Sequence, residues 1–116
     1  MTLGEAIARA DELCPNAFSR SRKVEWLSQA EGLLGCEMPG LPEVRYDDRT
    51  PEDTVLLAPE PWDRLYIHWL ESRMDYANGE YEKYNNSNAM YTAELRGFRN
   101  YRTRTILPGR RQIGWW

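Results

Sequence analysis

His68, the single histidine of this 116-residue chain, is followed by Glu71 and Asp75 at spacings of three and four. On a helix that spacing lines ligand-capable side chains along one stripe. A metal centre needs more ligands than one imidazole and two carboxylates from one helix, and no partner motif follows. A histidine-based nucleophile would require Cys14 or Cys36 beside His68, and nothing in the sequence places either there. Asp47-Asp48 and Glu52-Asp53 are paired carboxylates. They lack the alternate spacing and central glycine of a calcium loop, and read as a solvated acidic loop or an electrostatic docking surface. Gly32 and Gly35 are not followed by the Lys-Ser or Lys-Thr of a phosphate-binding loop. The expectation is a protein with no catalytic residues, no metal and no cofactor.

The elements that position these residues are helical. From Trp62 to Tyr84, Tyr66, Leu70, Met74, Ala77, Tyr81 and Tyr84 recur at helical spacing. Asn78-Gly79 interrupts the composition but not the phase. The stretch is therefore read as one long central helix that tolerates the pair, at about 1 kcal/mol for the interior glycine. Pro61 suits its first turn. Thr2-Leu3-Gly4-Glu5 fits a capping box opening a first helix, with Leu3, Ile7, Ala10 and Cys14 on one face and Pro15 as its stop. Ser19 or Ser21 caps a second helix, which buries Val24, Leu27, Ala30, Leu33 and Leu34, carries Trp26 at its side and ends at Gly35. Asn85-Asn86-Ser87-Asn88 reads as a polar break, after which Ser87 or Asn86 caps a fourth helix. Its face is Met90, Ala93, Gly97 and Tyr101, with Leu95 and Phe98 nearby. The fold expected is all-α: a small bundle of about four helices in one domain over 1–116.

Two segments fall outside that pattern. Residues 36–61 hold five prolines, many acids and no helical period. They are either a disordered surface loop or an arm ordered by a neighbouring molecule, with Val55-Leu56-Leu57 as a short strand or strap across the core. Residues 105–116 form a non-helical tail that ends on two tryptophans, an exposure that calls for a binding partner.

Composition restricts the function classes. Fifteen basic and eighteen acidic residues give a net charge of −3, which is not the bulk signature of a nucleic-acid binder. The charge is segregated, however: acids dominate from Glu37 to Asp63, and after Glu94 there are only arginines. Arg110, Arg111, Trp115 and Trp116 could hold nucleic acid by phosphate contact and stacking, but no wider basic face supports them. No apolar run spans a bilayer, and no signal peptide or lipidation motif is visible. The two cysteines read as reduced thiols, with a single disulfide as the alternative.

The run Leu65-Tyr66-Ile67-His68-Trp69-Leu70-Glu71, then Asp75-Tyr76-Ala77-Asn78-Gly79-Glu80-Tyr81 and Lys83-Tyr84-Asn85-Asn86, resembles small proteins from the structural gene block of tailed phages and prophages of Gram-positive bacteria. Glu5-Ala6-Ile7-Ala8-Arg9, Trp26-Leu27 and Leu56-Leu57-Ala58-Pro59 resemble the same proteins. They are similar in size and helical pattern to head–tail connector proteins, also called adaptor or head-completion proteins. The resemblance implies a non-enzymatic virion protein, made in the bacterial cytoplasm, that docks on the portal protein. It implies a ring of twelve copies in the neck, which meets the next neck or tail-completion protein and passes DNA through its lumen. The terminal Trp115-Trp116 pair departs from the family pattern.

On this reading the interface residues are Tyr46, Asp47, Asp48, Glu52 and Asp53 of the acidic loop with Arg110, Arg111, Trp115 and Trp116 of the tail. Arg110 and Arg111 face the acidic loop of a neighbour, and Trp115 or Trp116 fills an apolar pocket there. A head-to-tail contact of this kind closes into a ring. The alternative is a small helical regulator of phage or prophage origin that binds another protein through the same aromatic surfaces. A nucleic-acid-binding module ranks behind both.

Overall fold

The computed structural model describes residues 1–106. Four helices account for most of them: α1 (Leu3–Leu13), α2 (Arg20–Glu37), α3 (Arg64–Ala77) and α4 (Tyr81–Ile106). An irregular arm, residues 38–63, joins α2 to α3. The all-α bundle is as expected from sequence, although its helices begin and end differently.

α1 opens on the capping box: Glu5 N–H donates to Thr2 Oγ1, and Thr2 N–H donates to Glu5 Oε1 at 3.0 Å. Ser19 caps α2, accepting from the Arg22 amide. α2 does not stop at Gly35 but continues to Glu37, where Met38 N–H still donates to Leu34 O. Leu33, expected inside, is 44% exposed, because the packed face runs through Val24, Leu27, Glu31 and Leu34 instead.

The long central helix is a correction. Gly79 takes φ +73° and ends α3. Gly79 N–H donates to Tyr76 O at 3.1 Å and Glu80 N–H to Asp75 O at 2.9 Å, the paired closing bonds of a Schellman motif. The stripe kept its phase in sequence, yet its second half lies on a different helix. Tyr66, Leu70 and Met74 are fully buried, while Ala77 and Tyr81 are exposed. Nor does α3 start at Pro61. A turn intervenes, with Trp62 N–H on Pro59 O, and the helix begins at Arg64.

α3 and α4 form an antiparallel hairpin. Arg64 pairs with Glu94, Trp69 stacks on Tyr91 at 5.0 Å between centroids, and Asp75 accepts from Ser87. The expected break at Asn85–Asn88 is absent, because these residues sit inside α4 with Ser87 buried against Asp75. Tertiary packing overrides the weak helix propensity of the run. The buried face of α4 is Tyr91, Leu95 and Phe98; Met90, Ala93 and Tyr101 point out.

α3 lies against each of the other three helices, whereas α4 lies along α3 alone. The core therefore forms around α3: Leu3, Ala6 and Ala10 of α1, Val24, Leu27 and Leu34 of α2, and Tyr91, Leu95 and Phe98 of α4 surround Leu65, Tyr66, Leu70 and Met74. None of the helices among the described residues is long and apolar enough to cross a membrane.

Candidate functional site

The arm is organised by a residue that sequence reasoning missed. Glu31 lies on the buried face of α2 and is 1% exposed. Its carboxylate receives three donors: Tyr66 O–H at 2.5 Å, Tyr46 O–H at 2.7 Å and Leu57 N–H at 2.9 Å. The Tyr66 hydroxyl also accepts from Ala58 N–H at 2.8 Å. One carboxylate thus fastens the arm to α2 and α3 at both of its ends. A buried charge is tolerated only when hydrogen bonds replace its water, and here they do. Burial, then the charge and hydrogen bond of Glu31, push the Tyr66 phenol well above its usual range. Burial and the same carboxylate do so for Tyr46. Both therefore stay protonated and donating. The sequence signal was present: Leu27, Glu31 and Leu34 follow core spacing, so an acid occupies an inward position.

The arm is also stitched to the start of the chain. Leu3 N–H donates to Thr54 O, Gly4 N–H to Glu52 O and Leu56 N–H to Met1 O, and Thr2 and Val55 form an antiparallel bridge. The α-amino group of Met1 pairs with Asp63 at 3.2 Å, both nearly enclosed. Val55–Leu57 is thus a strap across the core, with Leu56 and Ala58 buried beneath it. The arm is neither a disordered loop nor dependent on a neighbour for its order, because its own subunit supplies these contacts.

The expected interface residues divide. Tyr46 turns inward to Glu31 and is half-buried. Asp47 shapes a turn, its Oδ1 accepting from Arg49 N–H at 2.8 Å and its N–H donating to Thr50 Oγ1 at 2.9 Å. Asp48 accepts from the Ser21 hydroxyl, and Glu52 pairs with Arg20 at 3.3 Å. Asp53 is exposed. The four acids thus stand on two successive outward turns, closed by Thr50 N–H on Asp47 O and Thr54 N–H on Pro51 O and braced by the first turn of α2. Arg110, Arg111, Trp115 and Trp116 lie outside the described residues.

The candidate chemical groups stay apart. His68 Nδ1 meets Glu71 Oε1 at 3.1 Å. Cys14 Sγ lies 3.8 Å from Asp75 Oδ1, whose partner oxygen accepts from Ser87 at 3.1 Å. Burial first, then Asp75, push the Cys14 thiol up, the wrong direction for a nucleophile. Cys14 and Cys36 are both free thiols. Among the described residues no three His, Cys, Asp or Glu side chains are placed to hold a metal ion.

Exposed aromatics gather at the α3–α4 turn. Tyr76 stacks edge-on with Tyr81 at 5.6 Å and Tyr84 at 5.3 Å, and the Arg73 guanidinium lies over Trp69 at 4.4 Å and Tyr84 at 5.5 Å. At the other end Arg99 pairs with Glu37 at 3.0 Å, and Arg102 donates to Pro39 O.

No family model, curated protein or solved structure matches this chain.

Proposed function

We propose that this protein is a head–tail connector, a structural protein of the phage neck that forms a ring below the portal and bridges capsid to tail. The resemblance of the α3–α4 sequence to such proteins motivates the reading. The observation that carries it is the outward acidic turn, Asp47 to Asp53, fixed on a protomer whose α4 ends in exposed arginines, among them Arg96, Arg99 and Arg104. Opposite charges held on different parts of one rigid unit favour a head-to-tail contact between copies, and such contacts close into rings. The partners on this reading are other copies in a ring of twelve, the portal itself and the next neck or tail-completion protein. DNA is met only as it passes the lumen.

Electron microscopy of the purified protein mixed with its portal, with native mass alongside, tests the reading. A ring added to the portal with matching symmetry is the expected result. A monomer that ignores the portal would overturn it. The exposed Tyr76 and Tyr81, stacked with half-buried Tyr84, favour a second reading, a regulator that binds one protein partner through aromatic anchors. Stoichiometry separates the two, since a regulator binds as one or two copies.

A further inference from the structure

A groove of about 610 Å³ runs between α2 and residues 43–46 of the arm. One wall is the outer face of α2 at Gly32 and Gly35, where a side chain built on either glycine would meet no atom within 4 Å. The other wall is irregular chain anchored at both ends: Leu41 N–H reaches Met38 O at 3.5 Å, and Tyr46 N–H donates to Ser28 Oγ at 3.1 Å. Between those anchors, the amides and carbonyls of Glu43, Val44 and Arg45 have no protein partner among the described residues. A segment held at both ends with its main-chain donors and acceptors unpaired can hydrogen-bond to a docked extended peptide. Glu31 turns its carboxylate to Tyr46, Tyr66 and Leu57, so the charges open to the groove are Glu25 and Glu43 against Arg45, a balance that favours a basic occupant.

We propose that this groove seats the basic tail segment of a second copy, Arg110-Arg111-Gln112-Ile113, as an added strand against Glu43–Arg45. The inference rests on the assembly reading above and specifies its contact. The segment has the required chemistry: two guanidinium groups for Glu25 and Glu43, and a β-branched residue suited to extended pairing. It follows Pro108-Gly109, which separates it from α4. The open space over Gly32 and Gly35 gives its side chains room beside the helix backbone. The tail's seat is then the groove, and the acidic turn at Asp47–Asp53 remains available to the α4 arginines of a neighbouring copy.

The test is a titration of isotope-labelled full-length protein with an unlabelled peptide of residues 105–116, read by amide shifts, alongside self-association by sedimentation. The amides of Gly32, Gly35 and Val44 should shift. Gly35→Trp, which fills the groove, and Glu43→Lys, which reverses its charge at an exposed site, should each weaken peptide binding at least tenfold with the melting temperature kept. Shifts confined to Asp47–Asp53, or unaltered binding in both folded variants, would overturn the groove while leaving the connector reading intact. A monomer whose groove amides are already protected and resist the peptide would assign the seat to the chain's own tail and overturn the second-copy proposal. Failure of the wild-type protein to join a portal would strike the connector reading alone, since the peptide titration is independent of it.

Discussion

Glu31 ties Tyr46 and Leu57 of the arm to Tyr66 of α3, and its effect is testable side chain by side chain. Glu31→Gln keeps the volume but replaces one acceptor oxygen with a donor, which then faces Tyr46, Tyr66 or Leu57 N–H. Losing a charge-assisted bond and leaving a buried donor unmet should remove about 2 kcal/mol, a fall of about 8 °C in melting temperature. Tyr66→Phe should do similar harm from the other side, because it also strips Ala58 N–H of its acceptor. The pH dependence follows the phenols. Burial raises Tyr66, Tyr46 and Tyr91, the last to about 12, with Glu37 adding to the effect at Tyr91. Folding therefore favours the protonated form. Its contribution is complete below about pH 10, where unfolded tyrosine ionises, and is lost as pH rises through the folded values. Alkaline titration followed at 295 nm should show these three tyrosines ionising late and together with unfolding. A gradual titration of all seven on the folded protein would contradict it.

At the scale of the element, local signals were legible and long-range ones were not. The Thr2–Glu5 box and the Ser19 cap were readable because each is contained in four residues. The hairpin between α3 and α4 was hidden because Asn78-Gly79 and Asn85–Asn88 both look like breaks, and only packing tells which one turns. Gly79, at positive φ, turns the chain; Ser87 is held in α4 by Asp75 across the hairpin. Two glycine substitutions check the packing with opposite signs. A Cβ on Gly97 would sit 2.6 Å from Trp62 Cζ3. The clash should outweigh the gain of about 1 kcal/mol in helix propensity, so Gly97→Ala should destabilise by about 1–2 kcal/mol. Gly32→Ala, which meets nothing, should stabilise by up to about 1 kcal/mol. Thermal melts of the pair decide it: equal shifts would mean that Trp62 does not lie against α4.

For the whole molecule, the consequence of fastening the arm through Glu31 is preorganisation. The arm's acids were legible as a surface, but their bracing was not, since it depends on Arg20, Ser21 and Glu31 far away in sequence. Ordering a free arm during assembly would oppose binding by about 1–2 kcal/mol per residue fixed. An arm already fastened by Glu31 and by the first residues of the chain avoids that loss, so on the proposed connector reading small polar contacts between copies would suffice. Hydrogen exchange on the isolated protomer should therefore show Leu56, Leu57 and Ala58 protected, with Glu43, Val44 and Arg45 exchanging freely. Glu31→Gln should release the first group by about 2 kcal/mol of protection while leaving the α3–α4 hairpin unchanged. The same variant alters no exposed residue, yet it should reduce ring occupancy on the portal. If occupancy stays at the wild-type level while the arm exchanges freely, assembly does not use the ordered arm, and its contacts must be sought at the exposed Tyr76 and Tyr81 instead.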